Sequence, residues 1–235
     1  MGRLLTFRKW AVALQLAAAA LSSPGMAADI ASAPYALPLN EAPPAFYRFY
    51  AHIGVVGVFA DVDAKIKAAG TVIPGSKMSV PATVAPALEL GYRVTPNWAV
   101  SLSGGIPPTS ILNAGGSIAA EGKLGSTVAA APTLTLHYHF LQLGAFQPYI
   151  GGGGSYLIVF NSRDGSLSHL RVDGAFGVLG QVGTDIMLSE RVGLFVDLKK
   201  GILHTNARGA FGPVPIKTSV ALDPLALTGG VTIRF

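Results

Sequence analysis

The chain has 235 residues and no cysteine, which excludes disulfides and thiolate chemistry. Charged residues make up only 12% of it and hydrophobic residues 50%, yet past the N-terminus no run of about 20 apolar residues supplies a membrane helix. The net charge of +5 includes Arg3, Arg8 and Lys9 of a leader segment, and the nearly neutral remainder has no basic cluster, which argues against nucleic acid as a partner.

Residues 1–27 read as a signal peptide. A positive start precedes an apolar run over 10–21, too short to span a bilayer. Ser22, Ser23 and Pro24 break it, and Gly25-Met26-Ala27 offers small residues for cleavage after Ala27. Residues 28–45, rich in Ala and Pro, are expected to be an irregular periplasmic lead-in. From 46 to 235 the pattern changes to period two, the signature of strands with one apolar face. The first such segment is 47–63, and 64–82 follows as a long loop, with Asp61, Asp63, Lys65 and Lys67 in a solvated top. Segments 88–94 and 98–102 flank a tight turn at 95–97. A second long loop covers 106–126, and the alternation resumes over 134–140. A short link at 141–144 leads to a fifth strand, 146–160. Loop 161–170, strand 172–188, turn 189–190, strand 192–198 and loop 206–216 lead to the last strand, 225–235.

These segments make eight strands whose connections alternate long and short. That parity predicts an all-β, eight-stranded antiparallel transmembrane β-barrel with short periplasmic turns and long extracellular loops. Tyr92, Trp98, Tyr138, Phe140 and Phe235 fall at periplasmic strand ends, where an aromatic girdle belongs. Val231, Ile233 and Phe235 look like a signal for the outer-membrane assembly machinery. Pro132, Pro148 and the glycine run 151–154 predict bulges in the fourth and fifth strands. They also make that strand pair a candidate weak seam, although bulges alone are the simpler reading.

With the apolar face of every strand turned to lipid, the other face lines the lumen. Near the extracellular end this places Val56, Val58, Leu157, Val159, Leu179 and Leu203, with Ala129, Ala131, Ala175 and Ala226. Nearer the periplasm it places His52, Arg93, His137, His139, Gln147, Gln181, Asp185, Asp197, Lys199 and Arg234, with Glu89 somewhat higher. The expectation is an apolar mouth, the path of a ligand, above a polar floor. Buried charges must pair, so Glu89, Asp185 and Asp197 are matched with Arg93, Lys199 and Arg234. A floor closed in this way excludes a general porin.

His137 and His139 share a face and with His52 offer three nitrogens, but no outer partners for a metal site are visible, so neither metal nor cofactor is expected. Ser168-His169 lies in a loop and no serine pairs with His137, which leaves an enzyme without a nucleophile and base. The glycine run precedes no helix and cradles no phosphate.

Four stretches in order along the chain resemble the OmpW family of outer-membrane proteins. They are Leu90-Gly91-Tyr92-Arg93-Val94-Thr95, the run 132–140 (PTLTLHYHF), Phe146-Gln147-Pro148-Tyr149-Ile150-Gly151, and Gly180-Gln181-Val182-Gly183-Thr184-Asp185. The resemblance implies an eight-stranded barrel in the bacterial outer membrane with a narrow apolar channel for small hydrophobic molecules. No apolar gate pair can be placed residue by residue. The expected partners are outer-membrane lipid and lipopolysaccharide, small hydrophobic solutes and the assembly machinery. The expected function is passage of small hydrophobic molecules, with exit sideways into the membrane. The alternative is a structural or surface-interaction barrel contacting lipopolysaccharide, host or phage without transport.

Overall fold

The structure, a computed structural model, describes residues 46–235; the expected signal peptide and lead-in lie outside the described residues. Thirteen strands follow one another among the described residues. They are β1 (Phe49–Ala68), β2 (Thr71–Val72), β3 (Ser76–Ser79), β4 (Thr83–Arg93), β5 (Trp98–Gly105), β6 (Thr109–Gly116) and β7 (Lys123–Ala130). Then come β8 (Thr133–His139), β9 (Phe146–Asp164), β10 (Ser168–Val172), β11 (Ala175–Met187), β12 (Val192–Phe211) and β13 (Val214–Arg234). The eight strands β1, β4, β5, β8, β9, β11, β12 and β13 pair antiparallel in that order. β13 returns to β1, from Tyr50↔Arg234 up to Ala68↔Ile216, and closes the ring. A closed ring leaves no unpaired edge, which is what a β-structure within lipid requires.

The burial pattern is that of a soluble protein turned inside out. Phe176 is 82% exposed and Val84 72%, whereas Asp185, His137 and His139 are fully buried. Apolar side chains face the bilayer and polar ones face each other across a narrow lumen. At the periplasmic rim Phe49 packs on Tyr92 and Phe235, and Tyr138 packs on Trp98 and Phe140, forming part of an aromatic girdle. The periplasmic turns are short and held by side chains: Thr95 Oγ1 accepts from the Trp98 N–H, and Ser189 Oγ from that of Val192.

The segments expected as extracellular loops are largely strand. β1, β9, β12 and β13 run well above the membrane region, and the smaller strands β2, β3, β6, β7 and β10 pair there with them or with each other. Asp61, Asp63, Lys65 and Lys67 therefore sit on β1 rather than on a loop top. The expected strand 172–188 is divided, with β10 ending at Val172 and β11 beginning at Ala175. The β12–β13 hairpin turns through Gly212, whose φ of +55° suits glycine. The β9–β10 turn is held by Asp164, whose carboxylate accepts from the backbone N–H groups of His169 and Leu170 at 2.9 Å each. Those two bonds hold its pKa below the ordinary carboxylate value.

The inward faces of these hairpins build a second core. Ala64, Ile66, Leu112, Ile118, Leu124, Leu167, Leu170, Ile216 and Val220 pack together above the lumen. The apolar mouth is consequently roofed rather than open.

The bulges expected at Pro148 and the glycine run do not form. β9 passes through both in continuous register with β8 and β11. Glycine is needed at Gly151 and Gly153 because a Cβ there would collide with the backbone of β8 and, at Gly151, with the His137 ring. The irregularity lies higher, between Val128 and Ala129 in the β7–β9 pairing, and in the interruption at 131–132.

The ladder is broken one strand pair earlier than expected. β5 and β8 pair from Trp98↔Tyr138 to Ser103↔Thr133, and β6 and β7 pair from Thr109↔Val128 upward. Between them, 104–108 and 129–132 share no rungs. Pro107 and Pro108 cannot donate to a neighbouring strand, and the flanking Gly104 and Gly105 put no Cβ into the wall. Across the β8–β9 pair, by contrast, the ladder is continuous and the Tyr156 N–H still donates to the Pro132 carbonyl at 3.2 Å.

Candidate functional site

Between roof and floor lies a chamber of about 350 Å³. Val56, Val58, Leu157, Val159, Leu179 and Leu203 all line it, together with Ala129, Ala131 and Ala226; Ala175 is buried but does not line it. Sequence parity missed Met78, Val80, Leu112 and Val220, which descend into the chamber from the extracellular hairpins. Met78, Leu112 and Ala207 also line a pocket of about 20 Å³ inside the roof, so the two spaces share these residues. Gly104, Gly105, Ile106, Ala130 and Ala131, which border the broken ladder, line the chamber's side wall, and Ile106 is 65% exposed.

His52, Glu89, Phe195 and Lys199 form the bottom of the chamber. Lys199 Nζ donates to Glu89 Oε2 and to Asp197 Oδ1, both at 2.9 Å. Asp197 Oδ2 accepts from Gln181 Nε2 at 2.6 Å and from the Tyr149 hydroxyl at 3.0 Å. Gln181 Oε1 lies 2.8 Å from His137 Nε2, and His137 Nδ1 lies 3.2 Å from the Tyr50 hydroxyl. A second branch runs from Glu89 through His52, whose Nε2 is 3.0 Å from Asp185 Oδ1. Asp185 Oδ2 accepts from Arg234 Nη2 at 3.1 Å, and the same nitrogen donates to Gln147 Oε1 at 2.6 Å.

The pairing differs from the expected one at Arg93. No carboxylate lies in ion-pair range of it among the described residues; Nη1 donates to the Pro96 carbonyl at 3.0 Å, and the guanidinium lies over the Tyr50 ring. The place opposite Glu89 and Asp185 belongs to His52 instead. The His139 ring has no hydrogen-bond partner among the described residues and is held by packing against Tyr149 and Tyr50.

Aromatic rings fill the space between the charges. His52 stacks on Phe195 with ring centres 4.2 Å apart, and His137 stacks on Tyr149. Tyr50 lies over Gly91 and Tyr149 over Gly183, and at either glycine a Cβ would collide with the ring. Tyr50, Tyr149 and Phe195 are buried floor residues beyond those expected from the sequence. The signal was present, because each stands two residues from an inward polar residue (His52, Gln147 and Asp197). Packed rings and ion pairs fill the narrow cross-section of the eight-stranded barrel at this height.

A closed eight-stranded ring with an apolar outer face, an aromatic rim, an apolar chamber and a polar floor defines an outer-membrane β-barrel. The OmpW family profile matches residues 48–235, and the chain belongs to that family. The dibenzothiophene metabolism operon protein PahQ of Pseudomonas aeruginosa is 34% identical over 78% of this chain and 86% of its own length. Outer membrane protein AlkL of Ectopseudomonas oleovorans is 26% identical over 71% of this chain and 72% of its own. The crystal structure of the outer membrane protein OprG from Pseudomonas aeruginosa superposes with a TM-score of 0.75 at 25% identity, covering 80% of this chain and 96% of that one.

Proposed function

We propose that the barrel passes small hydrophobic molecules from the cell exterior into the outer membrane. The observation that carries this reading is an apolar chamber closed below and bounded on one side by a gap in the wall's hydrogen-bond ladder. A volume of about 350 Å³ falls in the range of small-molecule pockets. An apolar solute gains nothing by entering the charged floor, where it would have to separate paired groups. It leaves instead between 104–108 and 129–132, where no rungs have to be broken. Access from outside passes Met78 and Leu112, which line both the chamber and the pocket in the roof. The name of the relative PahQ associates that protein with an apolar aromatic compound, and the chamber here suits the same class of solute.

The roof favours a second reading, a static barrel that contacts partners through its hairpins and transports nothing. Uptake of a labelled aromatic hydrocarbon by cells with and without the protein separates the two. Transport predicts faster initial uptake with the protein, and equal rates leave the static barrel. The side exit has its own test. A Cβ at Gly104 meets no neighbour within 4 Å, so Gly104→Trp adds a bulky ring beside the gap on the outer face that Leu88 and Leu102 share. Uptake is expected to fall severalfold at equal abundance of assembled protein; an unchanged rate places the exit elsewhere.

A further inference from the structure

The outward face of the extracellular hairpins carries a feature that no single stretch of sequence shows. Arg171 on β10 pairs with Arg208 on β12, Arg208 with Lys217 on β13, and Lys217 with Lys67 on β1. The four residues are exposed and form one continuous row across four adjacent strands. Like charges directly opposite each other on neighbouring strands repel. Only Arg208 has a carboxylate partner, Asp173 at 2.7 Å, and that pair is largely exposed, at 60% and 41%. Exposed pairs of this kind contribute little. Among the described residues Lys67, Arg171 and Lys217 have no ion pair.

The row lies at a definite height. The last large apolar pair facing lipid on β1 and β13 is Phe59↔Leu225. Lys67 follows Phe59 by eight residues, which at about 3.3 Å per residue and a tilt of about 40° puts it roughly 20 Å above the apolar band. That is beyond the headgroup of a phospholipid but within reach of sugars attached to a lipid of the outer leaflet. The carboxylates Asp61, Asp63 and Asp223 share this face but lie lower, nearer the edge of the bilayer.

We propose that this row binds the anionic inner-core sugars of lipopolysaccharide, whose phosphate and carboxylate groups supply the negative charge that the row lacks. The site goes beyond the passage of solutes and does not depend on it. It lies on the outside of the barrel and shares no residue with the chamber.

The test uses the full chain folded in a neutral detergent. Three probes are titrated: rough lipopolysaccharide retaining a phosphorylated inner core, lipid A alone, and phosphatidylglycerol. The native protein is expected to bind the first most tightly, with an affinity that falls as salt rises. The combined variant Lys67→Gln, Arg171→Gln, Arg208→Gln, Lys217→Gln is expected to lose about tenfold or more for that probe, since basic side chains near an anionic surface each contribute to binding. Its affinity for lipid A should not change. Lys67→Arg with Lys217→Arg keeps the charge and should keep the affinity. Should the fourfold variant fail to fold, as read by heat-dependent gel mobility, Lys67→Gln with Lys217→Gln and the salt dependence of the native protein decide. Equal binding of core-bearing lipopolysaccharide by native and neutralised proteins overturns the proposal. So does binding of lipid A or phosphatidylglycerol as tight as that of the core-bearing probe, or binding that ignores salt.

Discussion

Replacing Asp185 with alanine is expected to destabilise the barrel by about 3–5 kcal/mol, the cost of removing one partner from a buried ion pair. Asp185 is fully buried and holds two groups at once, His52 Nε2 at 3.0 Å and Arg234 Nη2 at 3.1 Å. Without it, the Arg234 guanidinium keeps only its bond to Gln147, and its charge stays in a lumen where water is scarce. Asp185→Asn should cost less, because the amide oxygen still accepts a hydrogen bond. Asp173→Ala, which breaks the exposed pair with Arg208, should cost under about 1 kcal/mol. Guanidinium unfolding in lipid vesicles measures all three. If Asp185→Ala unfolds within about 1 kcal/mol of the native protein, the floor is not a mutually dependent charge network.

The barrel itself was legible because a bilayer imposes a strict period of two. Leu88, Leu90 and Tyr92 face lipid while Glu89, Gly91 and Arg93 face the lumen, and a one-residue shift would reverse every contact. The tall hairpins resemble loops in sequence because the same alternation continues into a different solvent. On β1 the inward residues above the membrane are Ala64, Ile66 and Ala68, and the outward ones are Lys65 and Lys67. The side that faced lipid becomes charged and the lumen side becomes apolar. The period persists while its polarity inverts, and a search for outward apolar residues stops at that point. β12 and β13 invert in the same way, with Leu203, Thr205, Ile216 and Val220 inside and His204, Asn206, Lys217 and Ser219 outside.

Which charges meet inside the floor depends on strand stagger, which side-chain parity does not determine. Parity placed Arg93 and Glu89 on one inward face of β4, but stagger brings Lys199 and His52 to Glu89 and takes Arg93 to Pro96. The ladder breaks at a place other than the expected one for a related reason. Pro132 and Pro148 were visible as prolines, but the glycines of β9 let β8 approach closely enough to complete the ladder. The gap forms instead where the consecutive prolines 107 and 108 leave β5, a place that reads in sequence as ordinary loop.

Leu179→Asp should reduce uptake of a labelled aromatic hydrocarbon about tenfold while the protein still assembles. Leu179 points into the chamber from β11, and its strand partners are Gly153 and Gly201, so its side chain borders open space rather than a packed neighbour. A carboxylate there stays hydrated, and the solute must displace that water. Each 1.4 kcal/mol of such cost is a tenfold loss of binding, and stripping water from a charge without a partner costs at least that much. Lys199, which lines the chamber, already bonds Glu89 and Asp197. Assembly should survive because the lipid-facing residues and the floor are untouched. Leu179→Met, similar in volume and polarity, should stay within about twofold. Val58→Asp, on the β1 side of the same chamber, should repeat the loss. If both aspartate variants reach native levels in the membrane and take up solute at the native rate, the chamber is not the path.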